Sequence, residues 1–440
     1  MVVSALAPQL EKIVGANNVI SSPENLPPPL KQKIANALAP NTQIDCVVYP
    51  NTQAELAEII AMARRQRWGV LPYGSGSKLS WGGLVKNVNI AISTERLNRL
   101  IAHAAGDMTV TAEAGMKFSQ LQQILAPANQ FLALAPAYPD SATLGGIVAT
   151  ADSGSLRQRY GGVRDQLIGF SFIRSDGLIA KAGGRVVKNV AGYDLMKLFT
   201  GSYGTLGVIC QVTFRVYPLP EASKTVLLTG ETEAIASAAK ILLASALTPT
   251  AMDLLSTHLT RALAATSGMG LLIRFQSIPE SVSQQSERLI EIGKKLELQS
   301  SIYTDTEDSA LWQRLRELML PAAEKNTIFA KIGVKPSAAV ATLKQFDDLV
   351  SDSGLGKIHA LSGLGYLRFD SEGAVERISK LRSLLLVNSG FLTVLEAPIP
   401  VKQQIDVWGY NGNALDLMKK IKQKFDPENI FSYHRFVGEI

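Results

Sequence analysis

The sequence contains very little cysteine. Cys46 and Cys210 are the only two thiols in 440 residues. Two thiols cannot build the disulfide framework of a small secreted domain, and they cannot supply the four thiolates of an iron–sulfur cluster. Histidine is scarce as well, with four residues, so few imidazoles are available as a general base at neutral pH. The low cysteine content favours a reducing compartment, and we expect a cytoplasmic protein.

Long apolar runs are also missing. The first residues, MVVSALAPQLEKIVG, lack the basic segment, long apolar run and small-residue cleavage site of a secretory signal, and we expect a helix there. The most apolar later stretch, residues 381–401, contains Arg382, Asn388, Glu396 and two prolines, which argues against a membrane-spanning helix. Any membrane contact should therefore be peripheral or made through partners.

The composition is that of an ordinary globular protein, with 46% apolar and 19% charged residues. A chain of this length usually forms two or three domains. Lys and Arg number 44 against 38 for Asp and Glu, a net charge of +6. The basic residues are scattered and form no stripe with interleaved aromatics, so nucleic-acid binding is not predicted. An anionic small molecule or cofactor explains the excess equally well.

A strand, helix and strand precede the first glycine-rich segment. Residues 52–67 begin with Thr52 and Glu55 in capping-box spacing and end in a turn rich in arginine, which predicts a helix. The short apolar runs CVVYP and WGVLPYG flank this helix and predict strands. The glycines that follow therefore lie at the end of a strand.

Three glycine-rich clusters follow, at residues 72–83, 137–162 and 183–207. A single cluster of this kind could be a surface turn, but three in one domain exceed what turns require. The first reads PYGSGSKLSWGG, and its glycines and serines allow backbone amides and hydroxyls to approach a pyrophosphate. The clusters therefore predict a phosphate-containing ligand.

Two other nucleotide-binding motifs can be weighed against this interpretation. Gly74 and Gly76 supply the first two glycines of a Rossmann fingerprint, but Leu79 occupies the third position and no helical pattern follows. No GxxxxGK followed by Ser or Thr occurs, which excludes a Walker loop. Neither motif accounts for the first cluster.

Beyond Pro220 the pattern changes. Strand-like and helix-like segments alternate regularly up to the strand FLTVLEAP at residues 391–398. This alternation predicts a sheet with helices on one face, built from two pseudo-repeated halves. A final helix is expected at residues 413–424, leading into FDPENIFSYHRF.

The order PYGSGS, DSATLGG, SGSLRQRYGG and KNVAGYDLMKLFTGSYGTLGV resembles the FAD domain shared by vanillyl-alcohol oxidase, D-lactate dehydrogenases and glycolate oxidase flavoprotein subunits. The resemblance spans roughly residues 40 to 220 and includes the C-terminal KQKFDPENIF. GRVVKNVAGYD and a shortened C-terminal half most resemble the E subunits of glycolate oxidase. The resemblance implies an α+β protein: a two-part FAD-binding domain of the PCMH type, then an α+β cap domain with an antiparallel sheet and helices.

The resemblance also implies a domain plan and a set of FAD contacts. The plan comprises an N-terminal helical segment at 1–38, the FAD domain at 39–220, a cap or substrate domain at 221–400, and a segment returning to the FAD domain at 401–440. The pyrophosphate would be held by Gly74, Ser75, Gly76 and Ser77. The flavin and its phosphates would be lined by Asp140, Ser141, Thr143, Gly145 and Gly146, with further contact from Ser153, Ser155 and Arg159. The adenine end or ribityl chain would meet Gly207, Val208 and Ile209. Many relatives tether FAD through a His or Cys near these loops, but residues 72–83 contain neither, so noncovalent FAD is expected.

Oxidation of a 2-hydroxy acid requires a flavin, a cation for the carboxylate and a base for the hydroxyl proton. The GEHGIG-like segment of catalytic relatives is missing from this sequence, so the base is unassigned. His434 lies where relatives commonly read NPGR or NPGK and is a candidate, although it could equally face solvent. Arg274 and Arg368 lie in strand-like runs and could hold a carboxylate or cover a solvated sheet face. No metal site is predicted.

Three functions remain open from the sequence. The resemblance implies an FAD subunit of a glycolate dehydrogenase complex, with a D-type flavoprotein subunit and an F-type iron–sulfur subunit as partners. A stand-alone FAD-dependent oxidoreductase for 2-hydroxy acids such as D-lactate is the second. A structural subunit that keeps the flavin fold without redox work is the third.

Overall fold

A computed structural model of the chain describes residues 6–186, 192–321, 326–350, 354–387 and 389–440. Part of the predicted KNVAGYD motif, at residues 187–191, lies outside the described residues. The chain divides into two compact units. Unit 1 consists of Met1–Gly154, Gly162–Leu219 and Asn411–Ile440, and unit 2 consists of Ser155–Gly161 and Pro220–Tyr410.

The strands of unit 1 are short and most of them are buried. They are β1 (Val19–Ile20), β2 (Cys46–Val48), β3 (Val70–Tyr73), β4 (Ile90–Ser93), β5 (Leu100–Ala104), β6 (Thr109–Glu113), β7 (Gln130–Phe131), β8 (Leu167–Ile173), β9 (Ile179–Gly183), β10 (Val208–Arg215) and β11 (Tyr217–Pro218). Those of unit 2 are β12 (Ala222–Gly230), β13 (Ala251–Leu255), β14 (Met269–Ser277), β15 (Gln299–Thr304), β16 (Thr327–Gly333), β17 (Leu355–His359), β18 (Leu364–Asp370) and β19 (Phe391–Glu396).

The helices alternate with these strands along the chain. In chain order they are α1 (Ala7–Val14), α2 (Pro28–Ala35), α3 (Gln53–Gln66), α4 (Phe118–Leu125), α5 (Leu144–Thr150), α6 (Arg157–Tyr160), α7 (Val163–Gln166), α8 (Leu195–Phe199), α9 (Thr232–Leu243), α10 (Thr257–Ala264), α11 (Pro279–Lys295), α12 (Asp305–Met319), α13 (Ala339–Val350), α14 (Ala374–Val387), α15 (Ile399–Gln404) and α16 (Leu415–Phe425).

Unit 1 contains two sheets of different character. The first has the strand order β1–β2–β4–β3, in which β2, β4 and β3 run parallel. The second has the order β5–β6–β10–β8–β9 and is antiparallel throughout. Parallel strands need helical crossovers, and α3 provides the crossover between β2 and β3. The first glycine loop therefore starts at the carboxyl end of β3.

The predicted helix after β2 is confirmed as α3. The Thr52 Oγ1 accepts a hydrogen bond from the Glu55 amide at 3.1 Å, and the Glu55 carboxylate accepts one from the Asn51 amide at 2.7 Å. The face that packs on the first sheet is fully buried and consists of Leu56, Ile59, Ile60 and Ala63. These caps satisfy amides that the helix itself leaves without acceptors.

Replacing Thr52 by Ala should lower the free energy of unfolding of unit 1 by about 1 kcal/mol, because an N-cap hydroxyl contributes about that much. Urea denaturation followed by circular dichroism measures the change. The Thr52→Ser variant keeps the hydroxyl and should stay within about 0.5 kcal/mol of the unaltered chain. Equal losses in both variants would mean that the cap hydrogen bond contributes nothing.

Unit 2 is built on one antiparallel sheet with the order β15–β12–β14–β13–β17–β18–β16–β19. When the strands of each half are numbered along the chain, β12 to β15 have the spatial order 4-1-3-2. Strands β16 to β19 have the same order when the sheet is read from its opposite edge. The two halves join where β13 pairs with β17. The second half has the ferredoxin-like element order βαββαβ, and the first half has the same order with α10 added between β13 and β14. It agrees with the repeat predicted from the alternation of strands and helices.

The prediction of helices on one face of this sheet is wrong. Val226 of β12 belongs to the apolar cluster that also holds Val282 and Leu289 of α11. Its neighbour Thr225 faces the other way and donates a hydrogen bond to Asp308 of α12 at 2.5 Å. Because successive side chains of a strand point to opposite faces, α11 and α12 cover opposite faces. Helix α12 was not predicted, although its buried face carries Leu311, Leu315 and Met319 beside Asp308.

No helix within the described ranges is both long enough and apolar enough to cross a membrane.

Candidate functional site

A pocket of about 690 Å³, including its open mouth, lies in unit 1 where the glycine loops meet. Its walls come from the end of β3 and the following loop, the start of α5, the loop before β10, and the C-terminal segment. The lining residues are Pro72, Tyr73, Gly74, Ser75, Gly76, Ser77, Lys78, Leu79, Thr94, Thr143, Gly145, Gly146, Ala149, Thr150, Tyr203, Gly204, Gly207, Val208, Ile209 and Arg435.

Glycine at position 74 lets two segments of the pocket wall come together. A Cβ atom at Gly74 would lie 2.0 Å from the Thr143 Oγ1. That hydroxyl also caps α5 by accepting a hydrogen bond from the Gly146 amide at 3.3 Å. In addition, the Ser75 hydroxyl donates to the Ser141 carbonyl. The first and second glycine clusters are thus held directly against each other.

Arg435 clamps the first glycine loop from the C-terminal segment. Its Nη2 donates to the Leu79 carbonyl at 2.9 Å and to the carbonyls of Lys78 and Trp81 at 3.3 Å. Burial lowers the pKa of Arg435 to about 10, so the guanidinium stays charged at neutral pH. The pocket wall therefore contains a buried positive charge.

A second buried cation lies in the same wall. The Lys78 ammonium is 3.0 Å from Asp152, whose carboxylate also accepts a hydrogen bond from the Ala137 amide at 2.9 Å. Burial lowers the pKa of Lys78, and the attraction of Asp152 opposes this effect. The pair links the first glycine loop to the second cluster, residues 137–162.

The C-terminal segment is fixed to the pocket by a buried network. The Lys422 ammonium donates to Asp426 at 2.6 Å, to the Thr205 carbonyl at 2.9 Å and to the Phe431 carbonyl at 3.0 Å. Asp426 in turn accepts from the amides of Ile430 and Phe431. Thr205 follows the lining residues Tyr203 and Gly204, so this network joins α16 to the pocket wall.

The structure brings most of the residues implied by the family resemblance to this pocket. Those in the lining are Gly74, Ser75, Gly76, Ser77, Thr143, Gly145, Gly146, Gly207, Val208 and Ile209. Five others do not line it. Asp140 and Arg159 are exposed, and Ser141 contacts the first loop through its carbonyl. Ser153 accepts from the Val163 amide, and Ser155 donates to Asp253 within unit 2.

The three candidates for catalysis lie apart from the pocket lining. The His434 Nε2 is 2.9 Å from the Lys86 ammonium and 3.0 Å from the Glu439 carboxylate. Arg274 pairs with the buried Asp308 and stacks over Trp312.

Arg368 donates to the Leu318 carbonyl. Arg274 and Arg368 therefore both have partners within the protein, and neither is a free cation on a solvated sheet face.

Arg435 and Lys78 were not selected from the sequence as site residues. Lys78 belongs to the first glycine cluster, and a lysine in a phosphate-binding loop is a usable signal. Arg435 directly follows His434, which was selected because of its place after DPENIF. The backbone explains the difference between the two neighbours, because the segment runs beside β3 through the parallel bridge between Val70 and Phe431 and presents Arg435 to the loop.

Comparison with known proteins identifies part of this architecture. The family model FAD_binding_4, described as an FAD binding domain, matches residues 44–183. This stretch of the chain is an FAD-binding domain. It includes the first two glycine clusters and most of both sheets of unit 1.

Two curated relatives from different bacteria are glycolate oxidase subunits. The glycolate oxidase subunit GlcD of Bacillus subtilis is 25% identical over 413 residues, which is 88% of either chain. The glycolate oxidase subunit GlcE of Escherichia coli is 34% identical over 169 residues, 38% of this chain and 48% of that one. The match to GlcD thus extends beyond the FAD-binding domain. The match to GlcE has a higher sequence identity but covers fewer residues.

The fold also matches a solved enzyme structure. The crystal structure of p-cresol methylhydroxylase with substrate bound superposes with a TM-score of 0.76 at 14% identity, covering 98% of this chain and 96% of that one. The chain therefore has the PCMH-type α+β fold that its sequence predicted. With the FAD-binding domain and the oxidoreductase relatives, this identifies it as an FAD-dependent oxidoreductase.

Proposed function

We propose that the chain is an E-type FAD subunit of a glycolate dehydrogenase complex, which oxidises glycolate to glyoxylate and passes the electrons to a partner subunit. The observation that carries the proposal is the pocket of glycine, serine and buried arginine within a chain that is similar to two different glycolate oxidase subunits. The partners would be a D-type flavoprotein subunit and an F-type iron–sulfur subunit.

The pocket has the chemistry that the pyrophosphate of FAD requires. Gly74 and Gly76 have no side chain that would keep a phosphate away from their backbone amides. Ser75 and Ser77 also belong to the lining and carry hydroxyl groups. Arg435 adds a buried positive charge beside them. A charged guanidinium and several short polar groups suit phosphate oxygens, which accept hydrogen bonds and carry negative charge.

We further propose that FAD is bound without a covalent tether. The lining residues contain neither His nor Cys. Burial raises the pKa of the Cys46 and Cys210 thiols to about 12, so neither thiol is nucleophilic at neutral pH. When bound, FAD supplies a hydride acceptor for the carbon that bears the hydroxyl group.

We also propose a division of labour along the chain. We assign FAD binding to residues 39–220 together with the returning segment 401–440, and substrate binding to residues 221–400. A cytoplasmic location, with membrane contact only through partners, is part of this proposal.

A stand-alone 2-hydroxy-acid oxidoreductase is the second candidate. Unit 2 contains a buried Asp253–His359 pair with 2.6 Å between the carboxylate and the imidazole. A chain that carries its own base needs no partner for the chemical step, and this observation favours the second candidate.

An anaerobic visible spectrum of the FAD-loaded chain tests both functions. Glycolate or D-lactate is added first to the single chain and then to a mixture with the two partner subunits. Acetate, which has the carboxylate but no hydroxyl, is the matched control and should leave the flavin band unchanged.

We expect the flavin band to bleach with glycolate once the partners are present. Bleaching of the single chain would instead establish the stand-alone enzyme. A band that stays oxidised under every condition would contradict both functions, and a colourless chain that cannot be reconstituted with FAD would indicate a structural subunit.

A further inference from the structure

The antiparallel sheet of unit 1 has two edges of different character. Strand β5 forms one edge, and its pairing with β6 is interrupted by a bulge between Leu100 and Ala102. Strand β9 forms the other edge and pairs with β8 over Ile179–Gly183 without a shift of register. No strand in the described ranges pairs with the second side of β9. Bulges are a common protection against pairing with another chain, so β9 is the edge that stays open to such pairing.

Alternate residues of β9 point their backbone groups away from β8. The Leu178 carbonyl accepts a hydrogen bond at 3.0 Å and the Gly184 amide donates one at 3.1 Å, both exchanged with residues 168–174 on the β8 side. In an antiparallel pair, the residues that bond a neighbouring strand alternate with residues whose amides and carbonyls face the other way. Ile179 and Lys181 lie at these alternate positions, so the amide and the carbonyl of both residues point to the open side.

Large apolar side chains are exposed along the same edge. Leu178, Ile179 and Val186 are 61%, 43% and 59% exposed. Ala180 packs against the apolar cluster on one face of the sheet, so the neighbouring Ile179 side chain lies on the opposite face. Exposed apolar side chains on an open edge are typical of a site that pairs with another chain. We call the following residues the β9 edge: Leu178, Ile179, Lys181, Arg185 and Val186.

The β9 edge carries positive charge that the chain itself does not balance. Lys181 and Arg185 are exposed, and neither has an ion-pair or hydrogen-bond partner within the described part of the chain. Arg174, which directly follows β8, differs from them because the Asp176 carboxylate lies 2.7 Å from its guanidinium. Two cations of the edge therefore remain available to a partner.

These charges select among the chains that could pair with β9. A second copy would bring Lys181 and Arg185 close to the same two cations, and like charges across a strand pair are destabilising. A strand that carries Asp or Glu would instead place carboxylates beside both cations. Its backbone would bond the outward amides and carbonyls of Ile179 and Lys181, and its apolar side chains would cover Leu178, Ile179 and Val186.

We propose that the β9 edge is a protein-docking surface, where an extended acidic segment of a partner subunit adds to the five-stranded antiparallel sheet as a further strand. The inference rests on the proposed function, which requires partner subunits. It adds the place where one of them binds and the chemistry that this partner presents. All residues of the β9 edge belong to unit 1.

The first test measures the Kd of the FAD-loaded chain for the purified D-type and F-type subunits, each added alone, by biolayer interferometry. The Lys181→Gln variant loses the charge but keeps the backbone amide, and should raise the Kd for the subunit that binds about twofold to fivefold. The Lys181→Pro variant also loses an amide that β8 does not use, and should raise the Kd about tenfold or more beyond Lys181→Gln. Lys12 of α1 is an exposed cation of the same unit, so Lys12→Gln is the control and should stay within about twofold.

A second measurement needs no variant. Hydrogen exchange followed by mass spectrometry compares residues 178–186 in the chain alone and in the mixture with the subunit that binds. The amides of Ile179 and Lys181 should exchange quickly in the chain alone, because they face the open side, and slowly once the added strand supplies carbonyl acceptors. Residues 100–104 of β5 are the matched control from the bulged edge of the same sheet, and their exchange should be equal in both samples.

The outcomes separate the surface from the function. If neither subunit binds the unaltered chain, the proposed complex is wrong and the surface loses its occupant. If a subunit binds, but Lys181→Pro binds as tightly as Lys12→Gln or residues 178–186 gain no protection, the complex stands and this surface is wrong. If the chain alone is a dimer that Lys181→Pro converts to a monomer, β9 pairs with a second copy and the acidic partner is wrong.

Discussion

A chain carrying Arg435→Met should purify with little bound FAD and should unfold more easily than the unaltered chain. The substitution removes the Nη2 donor of the carbonyls of Lys78, Leu79 and Trp81 and takes a buried charge from the pocket wall. All three bonds share one Nη2 atom and two of them are long, so we count them as one strong bond. A hydrogen bond to a charged group contributes about 1.5–3 kcal/mol, and the free energy of unfolding should fall by about that amount. Loss of a buried charge partner costs about 2–5 kcal/mol in binding, which is roughly 30-fold or more in the Kd of FAD.

Flavin absorbance per protein and titration of the apoprotein with FAD measure the affinity, and urea denaturation measures the stability. Arg215 is exposed and stacks over Tyr217 in the same unit. Arg215→Met is therefore the matched control and should change neither quantity appreciably. If Arg435→Met bound FAD as tightly as the control, the first glycine loop would not need this clamp.

The Lys422→Met variant should lose about 3–5 kcal/mol of unfolding free energy, because breaking a buried ion pair leaves an uncompensated charge. Asp426 is fully buried and would lose its cation, and the carbonyls of Thr205 and Phe431 would lose their donor. Thermal or urea unfolding monitored by circular dichroism measures the loss. FAD affinity should fall with it, since the network holds the loop that contains Tyr203 and Gly204.

Lys420 lies on the same helix and is exposed, so Lys420→Met should stay within about 0.5 kcal/mol. The double variant Lys422→Met with Asp426→Asn should recover part of the lost unfolding free energy, since it also removes the carboxylate that Lys422→Met leaves without its cation. A double variant less stable than Lys422→Met alone would show that Asp426 stabilises the segment through its backbone amides rather than through the ion pair.

Features encoded by neighbouring residues could be predicted from the sequence. Helix α3 followed from Thr52, Glu55 and the apolar spacing, because a cap and an amphipathic face are local properties. The first glycine loop was likewise recognisable from its own residues. Strand β13 was missed since all five of its residues are buried, so it lacks the alternation that marks a strand with one exposed face.

Contacts between distant residues could not be predicted. The Arg435 guanidinium and the Leu79 carbonyl are 356 positions apart, and no sequence pattern around either residue predicts the contact. Asp253 and His359 are 106 positions apart and meet because β13 and β17 pair in one particular register. Arg274 was expected to hold a substrate or face solvent, but α12 places the buried Asp308 against it. Each of these contacts depends on tertiary structure that residue patterns do not encode.

Unit 1 is interrupted in sequence, since most of unit 2, Pro220–Tyr410, lies between Leu219 and Asn411. During translation the glycine loops leave the ribosome long before Arg435 and Lys422. At roughly 5–20 residues per second, the intervening two hundred or so residues occupy about 10 to 40 s. Throughout that interval the nascent pocket lacks Arg435, so we expect FAD to be captured only after the C-terminal segment has been synthesised.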